Sequence, residues 1–154
     1  KPKAICAAER LSALNSEITI RTYPTRLTEE NAQEIISQYD IVVDGCDNFS
    51  TRYLINDICA KMGKVYVYGA ICGFEGQVSV FHYGEEKKSY RDLYPDEEEM
   101  RRMPPPPKGV MGITPAVTGS IEATEVLKII CGFGEVLSGK LWTIDLRTLQ
   151  SNKF

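Results

Sequence analysis

The chain has 154 residues, a formal net charge of −3, and 43% hydrophobic against 25% charged residues. That is enough for one domain with a core of its own, in the ordinary composition range of a soluble globular protein. No basic cluster is present, which argues against nucleic-acid binding, and no apolar run reaches the roughly 20 residues of a membrane-spanning helix. The five cysteines (Cys6, Cys46, Cys59, Cys72, Cys131) are dispersed with no CxxC pair. They read as reduced thiols of a cytoplasmic protein, mostly small core hydrophobes, with Cys46 set apart by its place in a turn.

The chain opens at Lys1-Pro2 without an initiator methionine and is expected to be part of a longer protein. Lys3 to Leu14 carries apolar residues at helical spacing. Ile18, Ile20 and Thr22 then alternate as a strand that Pro24 breaks. Thr28 followed by Glu29 and Glu30 marks a helix start, the acids favoured by the helix dipole, and that helix should run to about Gln38. Ile41-Val42-Val43 is a β-branched run expected to be a strand buried on both faces. Phe49 to Met62 follows as a helix closed by Gly63, and Val65 begins a second buried strand, completing a βαβ unit.

After Gly69 the glycine spacing predicts a bend and then a strand through Val78, Val80 and Phe81 that leaves the parallel arrangement. Residues 84–108 are polar, acidic at Asp96 to Glu99 and end in PPPPK. They read as a long surface loop, polyproline-like in part. Thr114-Pro115 has the residues of an N-cap and first helical position, opening a helix to Cys131. Within it Gly119 and Ala123 are expected to allow close approach to a neighbour, and Glu122, Glu125 and Lys128 to form a solvated charge stripe. Lys140 to Asp145 and Leu146 to Phe154 read as closing strands. The fold class is therefore α/β.

Chemistry concentrates at Asp40 to Asn48, DIVVDGCDN. A carboxylate just past the carboxyl end of a buried strand, at the mouth of a helix, stands where open α/β sheets bind ligands. The competing reading is that Asp47 or Asn48 caps the helix. Arg52 lies one turn on and could equally pair with Asp57. Lys3 could be a solvated lysine, Glu75 and Gln77 could only stiffen the bend, and His82 has no visible partner.

Taken together, KPKAICAAERLSALN, DIVVDGCDNFSTRYLIN, GAICGFEGQVSVF, SYRDLYP, PPPP, GVMGITPAVTGSIEATEVLKII and SGKLWTIDLRT resemble the C-terminal two-thirds of the ThiF/MoeB/HesA adenylyltransferases, which are similar to ubiquitin-activating enzymes. The likeness is greatest to thiamin-biosynthesis members. It covers essentially residues 1–154 as one Rossmann-like three-layer domain, mostly parallel and extended by antiparallel strands. On that likeness residues 1–72 are the second part of the nucleotide-binding unit. Residues 73–154 are the C-terminal sheet, with a crossover loop over 84–112 and the helix 114–131.

The resemblance implies ATP-dependent adenylation of the C-terminal glycine of a ubiquitin-like sulfur carrier protein, in thiamin or molybdopterin synthesis, by a homodimer. It implies catalytic roles for Asp47 and Lys3, magnesium at Asp47, and a nucleotide site including Lys3, Leu27, Asp47, Asn48 and Arg52, with Asn48 and Arg52 on the nucleotide side or stabilising the turn. GAICGFEGQ resembles the surface over which the carrier's tail passes.

Three departures accompany the likeness. The family's glycine-rich phosphate loop has no counterpart in residues 1–154, so this stretch alone is expected to be inactive. Where many relatives have CYRC this chain has Ser89-Tyr90-Arg91-Asp92, so a zinc site, which needs four close ligands, is not expected. The position of the cysteine many relatives use covalently falls at about Pro105. Two other functions compete: a docking module for a ubiquitin-like protein without turnover, and half of a nicotinamide-dependent oxidoreductase. DGCDN is not a GxGxxG fingerprint, which counts against the second.

Overall fold

The computed structural model describes residues 1–104 and 109–154. Its elements are α1 (Lys3–Leu14), α2 (Glu29–Ser37), β1 (Ile41–Val43), α3 (Phe49–Met62), β2 (Val65–Cys72), β3 (Glu75–Phe81), α4 (Tyr90–Leu93), α5 (Glu97–Arg102), α6 (Ile113–Cys131), β4 (Trp142–Asp145) and β5 (Gln150–Lys153). The strands form one five-stranded sheet in the order β1-β2-β3-β4-β5. Only β1 and β2 pair in parallel, across the α3 crossover; the other three pairs are antiparallel. The α/β expectation holds, but the sheet is mixed and mostly antiparallel instead of mostly parallel, with the parallel part confined to β1 and β2.

The local signals explain where the helices begin and end. Thr28 and Asn31 form a capping box for α2. Asn48 caps α3 by accepting from the Thr51 amide, and Gly63 ends α3 in the left-handed region at φ 63°, where a side chain would be strained.

Side-chain alternation along the strands builds two unlike faces. On one, Tyr66, Tyr68 and Phe81 meet Tyr53, Ile55 and Cys59 of α3, Ala32 and Ile36 of α2, and Tyr90. On the other, Val67, Val78 and Val80 meet Ile121, Val126 and Ile129 of α6. The approach of α6 depends on two glycines of the sheet. A Cβ on Gly69 would lie 2.3 Å from the Glu122 carboxyl carbon, and one on Gly76 would lie 2.2 Å from Thr118 Oγ1.

Several expectations need correction. Ile18 to Thr22 is not a strand: among the described residues β1 is the end of the sheet and pairs with β2 alone, and this segment leaves its outer edge unpaired. Nor is β1 buried on both faces: Val43 is 48% exposed. No residue of α1 is buried. Residues 84–104 are not a plain loop but carry α4 and α5. The expected polyproline stretch, and the family cysteine position at about Pro105, fall largely or wholly outside the described residues.

Thr114 does not cap α6, whose N-cap is Gly112; its buried hydroxyl donates to Gly73 O at 2.9 Å. A Cβ on Gly119 would meet nothing within 4 Å, so the close approach is made by the sheet's glycines instead. Glu122 and Glu125 are not solvated. Both are buried, Glu125 bonded to Lys128 and to the Leu137 amide.

The expected loop is structured because Asn56, 1% exposed on α3, reaches into it. Its Oδ1 accepts from the Tyr90 amide at 2.9 Å and the Ser89 hydroxyl at 3.2 Å, and meets His82 Nε2 at 3.0 Å. His82 therefore has a partner that sequence alone did not reveal. Ser89 and Asp92 form the capping box of α4, and Arg91 pairs with Asp57 and Glu97.

Replacing Asn56 with Ala strands the buried Tyr90 amide. It should cost about 2–3 kcal/mol in denaturant unfolding and speed amide exchange across residues 82–104. Unchanged exchange there would contradict the tethering role of Asn56.

Candidate functional site

The site forms at the carboxyl end of β1, where the chain leaves the sheet at Asp44. The Asp44 amide continues the ladder to Val67 O at 2.9 Å, while its buried carboxylate is used on both oxygens. Oδ1 accepts from the Cys46 amide at 2.7 Å and folds the DGC turn. Oδ2 accepts from Arg52 Nε at 2.8 Å and from the Tyr66 hydroxyl at 3.0 Å. Arg52, on the first turn of α3, also donates through Nη2 to Cys46 O at 2.6 Å and Gly69 O at 3.3 Å. Its guanidinium carbon lies 5.7 Å from the centre of the Tyr68 ring, within cation–π range.

One guanidinium thus ties together the strand exit, the turn and the neighbouring strand. Burial opposes its charge, but Asp44 outweighs burial and raises its pKa. Burial, with Asp44 adding to it, pushes the Cys46 thiol up to about 12. Cys46 is therefore protonated at neutral pH and a poor nucleophile.

Asp47 sits at the crest of this turn. Its carboxylate is exposed and accepts from Asn48 Nδ2 at 3.2 Å. Its pKa is lowered first by that bond and by its own backbone amide, with the charges of Lys3 and Arg52 contributing. Asn48 thus caps α3 with its oxygen and steadies Asp47 with its nitrogen. Lys3 lies exposed at the start of α1, with its charge felt at Asp47. Arg52 belongs to the turn and not to Asp57, which pairs with Arg91. Leu27 lines an apolar groove of about 290 Å³ beside β1, with Tyr23, Ile36, Tyr39 and Val43. Of the bend residues, Gln77 donates to the hydroxyls of Tyr68 and Tyr94 and Glu75 pairs with Arg147.

Sequence reading missed Asp44, Tyr66 and Glu122. Asp44 carried a signal, since an acid placed directly after an apolar strand and before Gly is poorly solvated unless a cation reaches it. Burial of Glu122 carried none, because its helix neighbours Glu125 and Lys128 have the pattern of a surface stripe.

For magnesium, the donor set is a single ionised carboxylate. Among the described residues no group of three or more His, Cys, Asp and Glu side chains could hold a metal. A lone carboxylate such as Asp47 suits a cation that takes its other ligands from water and phosphate oxygens, as magnesium does.

The family model described as ThiF matches residues 1–154. A sulfur carrier protein adenylyltransferase of Thermus thermophilus is 47% identical over 94% of this chain and 55% of its own length. A probable molybdopterin-synthase adenylyltransferase of Pyropia yezoensis is 44% identical over 99% of this chain and 40% of its own length. The chain thus spans about half the length of these curated relatives. E. coli MccB, crystallised with ATP, superposes with a TM-score of 0.80 over 100% of this chain and 47% of its own, at 19% identity. That is a likeness of fold.

Arg52→Ala should destabilise the chain by about 3–5 kcal/mol in denaturant titration, because it leaves Asp44 buried and unpaired. Arg52→Lys should recover little of this, since an ammonium lacks the planar fork that reaches a carboxylate and two carbonyls. A near-neutral Arg52→Ala would show that water replaces the guanidinium.

Proposed function

The chain belongs to the ThiF family, and from that premise we propose that this protein adenylates the C-terminal carboxylate of a ubiquitin-like sulfur carrier protein, using ATP. The observation that carries the reading is Asp47: an exposed carboxylate with a lowered pKa, held by Asn48 at the end of a parallel strand, with the charge of Lys3 acting on it. The named activities of the relatives agree with it.

The chemistry asks little proton transfer of the protein. A C-terminal carboxylate has a pKa near 3.5, so it reaches the site already ionised. One of its oxygens attacks the α-phosphorus of ATP, the bond to the bridging oxygen breaks, and pyrophosphate leaves with the electron pair. Two anions must meet, so the protein's contribution is positioning and charge neutralisation. In this proposal Lys3 contacts the phosphates and Asp47 holds magnesium, whose chemistry when bound is to offset phosphate charge. Asn48 keeps Asp47 outward, and Arg52 keeps the turn in shape from beneath. The apolar groove at Leu27 receives the adenine, and the hairpin from Gly69 to Gln77 supports the carrier's tail. The pathway is thiamin or molybdopterin synthesis, and the working form a cytoplasmic homodimer.

ATP–pyrophosphate exchange by the full-length protein with its carrier tests the reading. Asp47→Asn should lower exchange about 10²-fold or more while leaving the melting temperature within about a degree, since the side chain is exposed. Wild-type exchange indistinguishable from background would favour a docking module. Exchange surviving in Asp47→Asn would remove Asp47 from the site.

A further inference from the structure

The unusual group on the α6 side of the sheet is Glu122. It is 7% exposed, and among the described residues its Oε1 is sealed from solvent without a hydrogen-bond partner. Thr118, one turn earlier, has a buried unpartnered hydroxyl as well. The Glu122 carboxyl lies flat on Gly69, filling the place a Cβ would take. Gly69 is also the residue whose carbonyl accepts from Arg52, so Glu122 and the guanidinium that organises the β1 exit both meet Gly69.

The charges that act on it are those of Asp44 at that exit and of Arg52 on α3. On α6 itself Glu125 is committed to Lys128 and the Leu137 amide. Arg52 is already engaged by Asp44, Cys46 O and Gly69 O. A second buried carboxylate at this place would repel Asp44 and compete for Arg52 without a donor of its own.

We propose that Glu122 is a positioning residue that works as a neutral carboxylic acid, and that its ionisation loosens the Asp44–Arg52–Gly69 assembly under the site turn. Burial first, and then the charge of Asp44, against a smaller opposing effect of Arg52, raise its pKa from 4.5 to about 8. The folded chain therefore keeps a proton that the unfolded chain releases above about pH 4.5. Stability attributable to this group is complete in acid, falls as pH rises from there towards 8, and levels off above 8.

Glu122→Gln, the neutral isostere, separates this from a packing role. In thermal unfolding of the full-length protein, variant and wild type should melt together near pH 5. The variant should lead by about 4 °C or more near pH 8.5. Parallel curves overturn the proposal. Should the variant not fold, infrared spectra of the wild type decide: a carboxylic-acid C=O band that bleaches near pH 8 supports it, and absence of such a band at pH 6.5 overturns it. Neither measurement involves nucleotide. The expected titration in a protein without pyrophosphate exchange would therefore overturn the adenylation reading and leave this one standing.

Discussion

The buried pairing of Arg52 with Asp44 is the interaction on which the rest of the site depends. Removing two charges from water costs several kcal/mol per ion, and attraction between them offsets that only when the remaining hydrogen-bonding capacity is also used. Here it is used: Asp44 accepts from an amide, a hydroxyl and the guanidinium, and Arg52 donates onward to two carbonyls. The pair fixes where β1 ends, how the DGC turn folds and where β2 passes it. Its contribution is geometry more than net stability. The turn that carries Asp47 is held from beneath by the Cys46 amide bond to Asp44 and the Arg52 bonds to Asp44 and Cys46 O.

Three acids around this point show how environment assigns different roles to the same chemical group. Asp44 is buried and paired, so it acts as structure. Asp47, three residues on, is exposed and held ionised by an amide side chain and nearby cations, so it is available to a ligand. Glu122 is buried with no donor on one oxygen, which favours the acid form. The ordering follows from solvation and partners alone.

The two faces of the sheet divide the labour. On the tyrosine-rich face Tyr66 donates to Asp44 and Tyr68 accepts from Gln77, while Tyr53 of α3 donates to the Tyr94 carbonyl. The other face is built on valines, and two glycines let α6 lie close enough to bring Glu122 against Gly69.

Helix limits, the βαβ unit and the hairpin after Gly69 were legible in the sequence because caps, glycines and hydrophobic period act within a few residues. The DGCDN turn was legible as a place, and Asn48 as a cap. Tertiary structure alone decided that Arg52 answers to Asp44 and not to Asp57, that residues 84–104 are bound to Asn56, and that Glu122 faces inward. Those outcomes turn on which surfaces meet across the sheet. A helical stripe of Glu, Glu and Lys has the same spacing whether it borders water or a pair of glycines, so only the packed partner distinguishes them.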